Sequence, residues 1–414
     1  MNRRVATMGS EKTLSRKLRF EADSAVLDVW MLGAVVCLLL LGLVMVSSAS
    51  MHISERTFLQ PWHYTIRQAA FIGVGVISAL LVLQLPLVFW QRMGPFLLIG
   101  GIVLLLAVFV PGVGRTVNGA TRWIDLGVIN LQVSELIKLF VIIYLAGYLV
   151  RRGEEVRTSF GGFIKPMALL GFIGVLLLAE PDFGATVVML LTAMAMMFVG
   201  GVRLWQFGSL LLLLAGTMAV LAISSPYRLE RLTTFVNPWA DPFDSGFQLT
   251  QALIAIGRGE LWGVGLGSGV QKLFYLPEAH TDFLFAVFAE EFGLLGSTVV
   301  IGLFVVLVVR AFAIARRAEI NGARFAAFLA YGIGIWIGLQ AFINIGVNMG
   351  VLPTKGLTLP LMSYGGSSVI VTCVAVALVL RVDYETYRSN RQAERRVGKP
   401  DKRRDRRDRR GGLS

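Results

Sequence analysis

The stretch FIKPMALLGFIGVLLLAEPDFGATVVMLLTAMAMMFVG, residues 163–200, decides the fold class because it is apolar almost throughout. A single helix of this length would be about 57 Å long at about 1.5 Å per residue, whereas the hydrocarbon core of a bilayer is about 30 Å thick. Pro181 and two acids, Glu180 and Asp182, interrupt the run near its centre. We therefore predict two membrane-spanning helices joined by a tight hairpin.

Similar apolar runs recur along the whole chain of 414 residues, of which 55% are hydrophobic and only 16% are charged. Soluble domains carry about 25% charged residues, and apolar runs of about 17–25 residues are typical of transmembrane helices. The sequence thus predicts an all-α polytopic membrane protein. The ten predicted spans are 27–49, 64–84, 95–111, 131–150, 163–179, 183–200, 205–224, 284–309, 325–349 and 358–380. They form one domain, 27–382, between an N-terminal arm, 1–26, and a basic tail, 383–414, that we expect to be disordered.

Lysine and arginine are concentrated in the loops on one side of the predicted bundle. If both termini are cytoplasmic, 29 of the 39 basic residues fall on the cytoplasmic side, as the positive-inside rule requires. The longest loop, 225–283 between helices 7 and 8, then lies outside, and its segment 247–257 has the spacing of an amphipathic surface helix. The tail segment KPDKRRDRRDRRGG, 399–412, contains no aromatic residue for base stacking, so the net charge of +13 indicates contact with anionic membrane lipids rather than nucleic acid.

Ionisable residues within or beside the spans gather on the predicted outer side, and such residues are functional candidates in a membrane protein. The candidates are Arg122, Glu135, Lys138, Glu180, Asp182, Arg231, Lys272, Glu278, His280, Asp282, Glu290, Glu291 and Lys355. Acids and cations above an apolar bundle suit a ligand with an anionic head and a lipid tail, such as a polyprenyl pyrophosphate. The chain has three histidines and two cysteines, and their dispersed positions predict no dedicated protein metal site.

Several of these residues have an alternative, structural interpretation. Glu135 and Lys138 are one helical turn apart and could pair with each other. Glu290 and Glu291 could hold loops by hydrogen bonds, and His280 could fix the loop that contains it. The glycine-rich run 263–269 could form tight turns rather than a phosphate-binding loop. Asp282, immediately before the eighth span, could be only a helix N-cap.

Four longer blocks resemble the SEDS family of proteins (shape, elongation, division, sporulation). They are GATRWIDLG at 119–127, EPDFG at 180–184, FVNPWADPFDSGFQLTQALIAIGRGELWGVGLGSGVQKLFYLPEAHTDFLFAVFAEEFGLLG at 235–296 and PTKGLTLPLMSYGGSS at 353–368. They occur in the family's order, and the resemblance covers roughly residues 27–385. The segment PEAHTDF, 277–283, with Ala279, is similar to the division members of the family.

The resemblance implies a peptidoglycan glycosyltransferase of the plasma membrane that acts at the division septum. Such an enzyme polymerises lipid II, a disaccharide-pentapeptide on undecaprenyl pyrophosphate, through β-1,4 bonds with inversion. Its implied partners are a class B penicillin-binding protein that crosslinks the peptides and other divisome proteins. A lipid II flippase and a non-catalytic divisome scaffold remain alternatives, because buried charges in a ten-helix bundle also fit a transporter.

The resemblance also suggests roles for the candidates. Asp282 is expected to be the catalytic base, and Arg122 and Lys355 are expected to stabilise the leaving pyrophosphate. Lys138, Arg231 and Lys272 are further candidates for that contact. The expected supporting residues are His280, Glu278, Glu180, Asp182, Glu135, Gln251 and Ser363. The only cofactor left open is a divalent cation, Mg²⁺ or Mn²⁺.

Overall fold

The computed structural model describes most of the chain between residues 27 and 397. The residues in that interval that it leaves undescribed are 118–119, 126, 128–129, 204, 207, 210–211, 213–215, 217–219, 221–222, 224–234, 236, 245, 274–275 and 354–355.

Long apolar helices dominate the described residues. In chain order the helices are α1 Val29–Phe58, α2 His63–Gln84, α3 Leu87–Val108, α4 Val133–Thr158, α5 Phe160–Ala179, α6 Phe183–Val199, α7 Phe247–Gly259, α8 Leu284–Ile320, α9 Arg324–Asn348 and α10 Gly366–Val397. Eight of these, all except α6 and α7, are long and apolar enough to cross a membrane. Large apolar side chains such as Trp30, Leu40 and Ile77 are exposed on them, as expected for helices that face lipid.

The prediction of a polytopic helical membrane protein is confirmed. The eight long helices and the shorter α6 coincide with nine of the ten predicted spans. Most of the predicted seventh span, 205–224, lies outside the described residues. The hairpin at Pro181 is present, because α5 ends at Ala179 and α6 begins at Phe183.

Two predicted span starts are wrong, and several helices continue past the predicted span ends, such as α1 to Phe58 and α8 to Ile320. The helix α3 begins at Leu87, directly after Pro86, rather than at residue 95, and it continues through Pro95. The helix α10 begins at Gly366, because the apolar residues just before it belong to a loop that is buried against protein rather than lipid. In that loop Met362 is fully buried and packs so closely on α1 that a Cβ at Gly42 would lie 2.6 Å from its Cα.

The predicted all-α architecture is accompanied by a short sheet that the sequence analysis did not predict. Between α3 and α4 the chain forms a three-stranded antiparallel sheet of β1 Gly114–Val117, β2 Ala120–Asp125 and β3 Asn130–Gln132, in the order β1-β2-β3. An ion pair of 3.2 Å between Arg115 and Asp125 crosses from β1 to β2. The segments between the two helices thus pair their backbone groups with one another, which satisfies these groups outside the helices.

The helix α8 is interrupted at Gly293, whose φ of 64° and ψ of −162° are not helical. The loop after α7 pairs with the backbone freed there, because the Leu294 amide donates to the Glu260 carbonyl at 2.9 Å and the Gly265 amide to the Glu291 carbonyl at 3.0 Å. A Cβ at Gly293 would lie 2.4 Å from the Gly263 nitrogen. The glycine-rich run 263–269 therefore forms turns that pack closely on α8, as the structural interpretation predicted.

At the opposite end of the bundle, charged residues tie three helices together. The Asp28 carboxylate accepts from the Met31 amide at 2.9 Å, which caps α1, and forms an ion pair with Arg310 of α8. Arg317 of α8 pairs with Asp383 of α10 at 2.7 Å. The helix α10 continues to Val397, so the expectation of a disordered tail is wrong for residues 383–397. Residues 1–26 and 398–414 lie outside the described residues.

Candidate active site

Asp282 lies where three segments of the chain meet: the end of the loop before α8, the end of α9 and the segment before α10. Its carbonyl oxygen accepts hydrogen bonds from the side-chain amides of Asn344 and Asn348 on α9, at 2.9 and 3.0 Å. Asn344 also donates to the Leu357 carbonyl at 2.5 Å. Two amide side chains thus fix the backbone of Asp282 and join it to the segment before α10.

The alternative that Asp282 is a helix cap is wrong. The N-cap residue of α8 is Phe283, and no side chain of this residue caps the helix. Instead, the Ala286 amide in the first turn donates to the side-chain carbonyl of Asn348 at 3.1 Å. The Asp282 carboxylate is half-buried, and a Cβ placed on Gly356 would lie 3.2 Å from its Oδ2. The carboxylate therefore faces the segment before α10 and does not cap α8.

The surroundings of Asp282 raise the pKa of its carboxyl group to about 7. Burial is the largest cause, and the negative charges of Glu278 and Asp182 add to it, while Arg122 opposes them. A carboxyl group with this pKa is ionised in part of the molecules at neutral pH and is a stronger base than an ordinary carboxylate. Such a pKa suits a group that must accept a proton near pH 7.

Arg122 projects from β2 to the hairpin between α5 and α6. Its Nε donates to the Glu180 carbonyl at 3.1 Å, and its Nη2 donates to the Pro181 carbonyl at 2.5 Å. Among the described residues, no carboxylate forms an ion pair with this guanidinium. Backbone oxygens therefore hold Arg122 in place while its charge is not cancelled by a partner.

The two acids of the hairpin have different environments. The Asp182 carboxylate is buried, accepts from the Ala185 amide at 3.2 Å as the N-cap of α6, and accepts from the Ser134 hydroxyl at 2.7 Å. Glu180 is also buried, but neither of its carboxylate oxygens has a hydrogen-bond partner in the described part of the chain. Burial and the nearby charge of Asp182 raise the pKa of Glu180 to about 8, against the opposing effect of Arg122.

Two of the lysines predicted to contact pyrophosphate are committed to buried partners. Lys138 pairs with Glu135 at 2.8 Å, as the structural interpretation predicted, and it also donates to Gln340 at 2.8 Å. Lys272 pairs with Glu291 at 2.5 Å. Both ammonium groups are buried with these acids, so the geometry favours a structural role over a pyrophosphate contact.

The acids Glu290 and Glu291 hold loop segments, as expected from their structural interpretation. Glu290 accepts from the backbone amides of Val270 and Gln271 at 2.9 and 3.2 Å. Glu291 accepts from the Ser48 hydroxyl of α1 at 2.8 Å in addition to its bond with Lys272. These contacts anchor the long loop on α8.

The histidine and the glutamate that precede Asp282 have different environments. His280 is buried beside the rings of Tyr64 and Tyr364, with ring centroids at 4.8 and 5.6 Å, and burial lowers its pKa while the charge of Glu278 opposes that effect. Its carbonyl oxygen accepts from the Tyr364 amide at 2.9 Å. Glu278 is exposed and accepts from the Thr281 hydroxyl at 2.7 Å. His280 thus helps to hold the loop, and Glu278 contributes a negative charge that raises the pKa of Asp282.

The remaining predicted residues are placed as follows. The Ser363 hydroxyl accepts from the Leu359 amide at 3.0 Å and so shapes the segment before α10. Gln251 lies partly exposed on α7, and no described hydrogen bond joins it to Asp282. Lys355 and Arg231 lie outside the described residues.

Comparison with known proteins places these features in a family. Residues 29–388 match the model of the FtsW/RodA/SpoVE family, which is described as a family of cell cycle proteins. The chain belongs to this family. The predicted membership of the SEDS family, with similarity to its division member FtsW, is confirmed.

Relatives from several bacteria resemble the chain over most of its length. A protein of Nitrosococcus halophilus, named as a probable peptidoglycan glycosyltransferase FtsW, is 60% identical over 87% of this chain and 92% of its own length. A protein of Coxiella burnetii with the same name is 55% identical over 87% of this chain and 96% of its own length.

Solved structures show the same fold. A chain from a peptidoglycan synthase complex, described as coordinating polymerization and crosslinking, superimposes with a TM-score of 0.72 and 30% identity, and the match covers 87% of this chain and 98% of that one. The rod shape determining protein RodA of Thermus thermophilus superimposes with a TM-score of 0.64 and 29% identity over the same shares of the two chains.

The sequence blocks that resemble the FtsW/RodA/SpoVE family converge at Asp282. GATRWIDLG supplies Arg122, EPDFG supplies Glu180 and Asp182, and PEAHTDF supplies Asp282 itself. The segment beginning PTKG supplies Gly356, whose position is within contact distance of the Asp282 carboxylate. Blocks that are far apart in the sequence of this family member therefore form one site.

Sequence reasoning missed the polar face of α9. Gln340, Asn344 and Asn348 are spaced four residues apart in an otherwise apolar span, and all three are buried. Gln340 accepts from Lys138 and donates to the Thr358 carbonyl at 3.0 Å. The three amides together thus bind the backbone carbonyls of Asp282, Leu357 and Thr358. A regular polar stripe inside a membrane span was the signal that could have revealed them.

In the described part of the chain, no three acidic, histidine or cysteine side chains are arranged to hold a metal ion. The residues present at Asp282 therefore do not fit a metal site built by the protein alone.

Proposed function

We propose that the chain is a peptidoglycan glycosyltransferase that polymerises lipid II during septal cell-wall synthesis. The relatives named as peptidoglycan glycosyltransferases support this activity. The observation that carries the proposal is the Asp282 carboxylate, which is unused by the fold, has a pKa of about 7 and lies near the uncancelled charge of Arg122. A base beside a cation matches a reaction in which a hydroxyl attacks and an anion leaves.

In the proposed reaction, the 4-hydroxyl of one N-acetylglucosamine attacks C1 of an N-acetylmuramic acid that carries an α-linked pyrophosphate. Asp282 accepts the hydroxyl proton as the new C1–O bond forms, and the bond from C1 to the pyrophosphate oxygen breaks with its electron pair on that oxygen. The products are a β-1,4 bond, with inversion at C1, and undecaprenyl pyrophosphate. Pyrophosphate leaves as a stable anion, so a single carboxylate suffices, unlike in glycosidases.

Arg122 stabilises the charge that grows on the leaving pyrophosphate. Its planar guanidinium can donate to phosphate oxygens, and the backbone bonds to Glu180 and Pro181 hold it before the substrate arrives. Lys355, one residue before Gly356, remains a proposed second cation for the same role. A divalent cation, Mg²⁺ or Mn²⁺, is proposed only as a companion of the substrate pyrophosphate, and no step depends on it.

We further propose ten spans with both termini in the cytoplasm and the loop 225–283 outside. The distribution of basic residues supports this orientation, since 29 of 39 fall on the cytoplasmic side. The site at Asp282 then faces the cell wall. A crosslinking enzyme, the class B penicillin-binding protein, and other divisome proteins are the proposed partners, and the related chain from a synthase complex supports the first of them.

Polymerisation by the purified full-length protein in detergent tests this function. Lipid II and the protein should give glycan strands that are visible on a gel, without any membrane to cross. A flippase or a scaffold would leave lipid II unchanged under these conditions. Absence of strands, at protein and lipid II concentrations that support binding, would therefore overturn the proposal.

A further inference from the structure

Glu180 is the buried acid at this site that the mechanism does not use. The residue is only 1% exposed, and neither Oε1 nor Oε2 has a hydrogen-bond partner among the residues that the structure describes. An ionised carboxylate is costly to bury without donors, and such a group takes up a proton instead. The geometry alone therefore favours a neutral carboxylic acid.

The charges around Glu180 strengthen this preference. Asp182 accepts three hydrogen bonds, from Ala185, Ser134 and Gln132, so its carboxylate oxygens have donors that those of Glu180 lack. Asp182 raises the pKa of Glu180 after the effect of burial, and Arg122 lowers it. The acid on the neighbouring helix α4, Glu135, is already paired with Lys138.

Arg122 is close enough to affect Glu180, yet it bonds to backbone. Its Nε and Nη2 donate to the carbonyl oxygens of Glu180 and Pro181 and not to the Glu180 carboxylate. If Glu180 ionised, the guanidinium would have two carboxylates beside it, Glu180 and Asp182. Ionised Glu180 would thus add one more negative charge beside Arg122 and weaken its attraction for an anionic ligand.

We propose that Glu180 is a positioning residue whose neutral carboxylic acid leaves the charge of Arg122 available to the pyrophosphate of the substrate. This inference rests on the proposed function and adds a protonation requirement to it. Asp282 must be ionised to act as the base, while Glu180 must be protonated, so neighbouring acids of one site work in opposite states.

The inference predicts a loss of substrate affinity at alkaline pH. Glu180 is neutral below its pKa of about 8 and ionises above it, where it neutralises Arg122. Because one proton is involved, KM for lipid II should rise about tenfold per pH unit above that pKa. The effect should appear in KM more than in kcat, since the binding of pyrophosphate is what weakens.

The test measures KM and kcat for lipid II from about pH 6.5 to about pH 9.5 with full-length protein. Glu180→Gln is a neutral isostere, so its KM should stay flat where that of the wild type rises. Glu180→Asp is the matched control, because it retains an ionisable carboxyl group and should retain an alkaline rise in KM. Thermal unfolding of both variants checks that they are folded.

The outcomes separate this inference from the proposed function. If the wild type makes no glycan strands, the proposed function fails and the inference fails with it. If the wild type polymerises and Glu180→Gln keeps the alkaline rise, only the inference is overturned. If Glu180→Gln does not fold, the affinity of the wild type for undecaprenyl pyrophosphate decides. A fall in affinity of about fivefold from pH 8 to pH 9 would support the inference, and constant affinity would overturn it.

Discussion

At the scale of single residues, Asp282 is chemically available because other groups do the structural work around it. Asn348 caps the first turn of α8, and Asn344 and Asn348 together hold the Asp282 carbonyl. The position of Asp282 before an apolar run suggested either a cap or a base. Only the three-dimensional placement of Asn348, 66 residues further along the chain, distinguishes the two.

The first prediction concerns Arg122. Arg122→Ala should lower the rate of polymerisation about a hundredfold, or about 3 kcal/mol, because the lost contact strengthens in the transition state. The matched control is Arg115→Ala in the same sheet, since Arg115 pairs with Asp125 on an exposed surface and should be dispensable. Equal rates for the Arg122 variant and the wild type would refute its role.

The second prediction concerns the dependence of activity on pH. The base must be ionised, so activity should fall as pH drops below the Asp282 pKa of about 7. The negative charge of Glu278 helps to raise that pKa. Glu278→Gln should therefore shift the acid limb of the pH profile of kcat/KM to lower pH. An unchanged limb, or a shift to higher pH, would contradict the assignment of that limb to Asp282.

The contacts of single residues also show why the pyrophosphate-binding cations were harder to predict from the sequence than the candidate base. Lys138 and Lys272, like Arg122, are cations on the predicted outer side of the bundle. The structure shows that each of these lysines has an acid partner, Glu135 for Lys138 and Glu291 for Lys272. The i,i+3 spacing of the first pair was visible in the sequence, but the second pair joins a loop to a helix.

At the scale of elements, the interrupted helix α8 connects the long loop to the bundle. Gly293 breaks the helix, and the backbone of residues 260–265 bonds to the groups released there. The neighbouring acids Glu290 and Glu291 bind the next part of the loop. Hydropathy identified this span but not its break, because a single glycine inside an apolar run is compatible with an intact helix.

The third prediction tests this connection. Gly293→Ala should lower the thermal unfolding temperature clearly, because its backbone conformation costs about 1–3 kcal/mol for other residues and its Cβ would lie 2.4 Å from the Gly263 nitrogen. Gly302→Ala on the same helix is the control, since a Cβ there meets nothing within 4 Å and alanine favours helix. Equal unfolding temperatures for the two variants would show that the break is not structural.

The sheet β1–β3 and the loop before α10 show a second limit of prediction at this scale. The short strands carry no long alternating pattern, so the sequence offered only a polar connection between two spans. The loop residues Leu359, Leu361 and Met362 are apolar because they pack against protein, and they extended the predicted tenth span too early. Hydrophobicity does not distinguish burial in protein from burial in lipid.

At the scale of the whole molecule, the number and order of the described helices followed closely from the sequence, whereas several of their ends did not. Backbone groups inside a bilayer must be satisfied within each span, so apolar length predicts helices well. The convergence of Arg122, Glu180, Asp182 and Asp282 did not follow from hydropathy or spacing. It was anticipated only through the resemblance of their sequence blocks to one family.

The fourth prediction concerns orientation. In a background without Cys37 and Cys373, the variants Asp244→Cys and Ser389→Cys place single thiols at exposed positions, in the long loop and in α10 respectively. A membrane-impermeant thiol reagent applied to intact spheroplasts should label residue 244 and spare residue 389. Permeabilised cells, in which both should react, serve as the control. The reverse labelling pattern would invert the proposed topology.

The most direct test of the central claim is polymerisation of lipid II by the Asp282→Asn variant. Asparagine has the same shape but cannot accept the proton, so glycan product should fall about 10²–10⁴-fold while thermal unfolding stays unchanged, because Asn348 caps α8. Asp125→Asn, at an exposed acid of β2, should polymerise at the rate of the wild type. Substantial polymerisation by Asp282→Asn would contradict the account and assign the base to another residue.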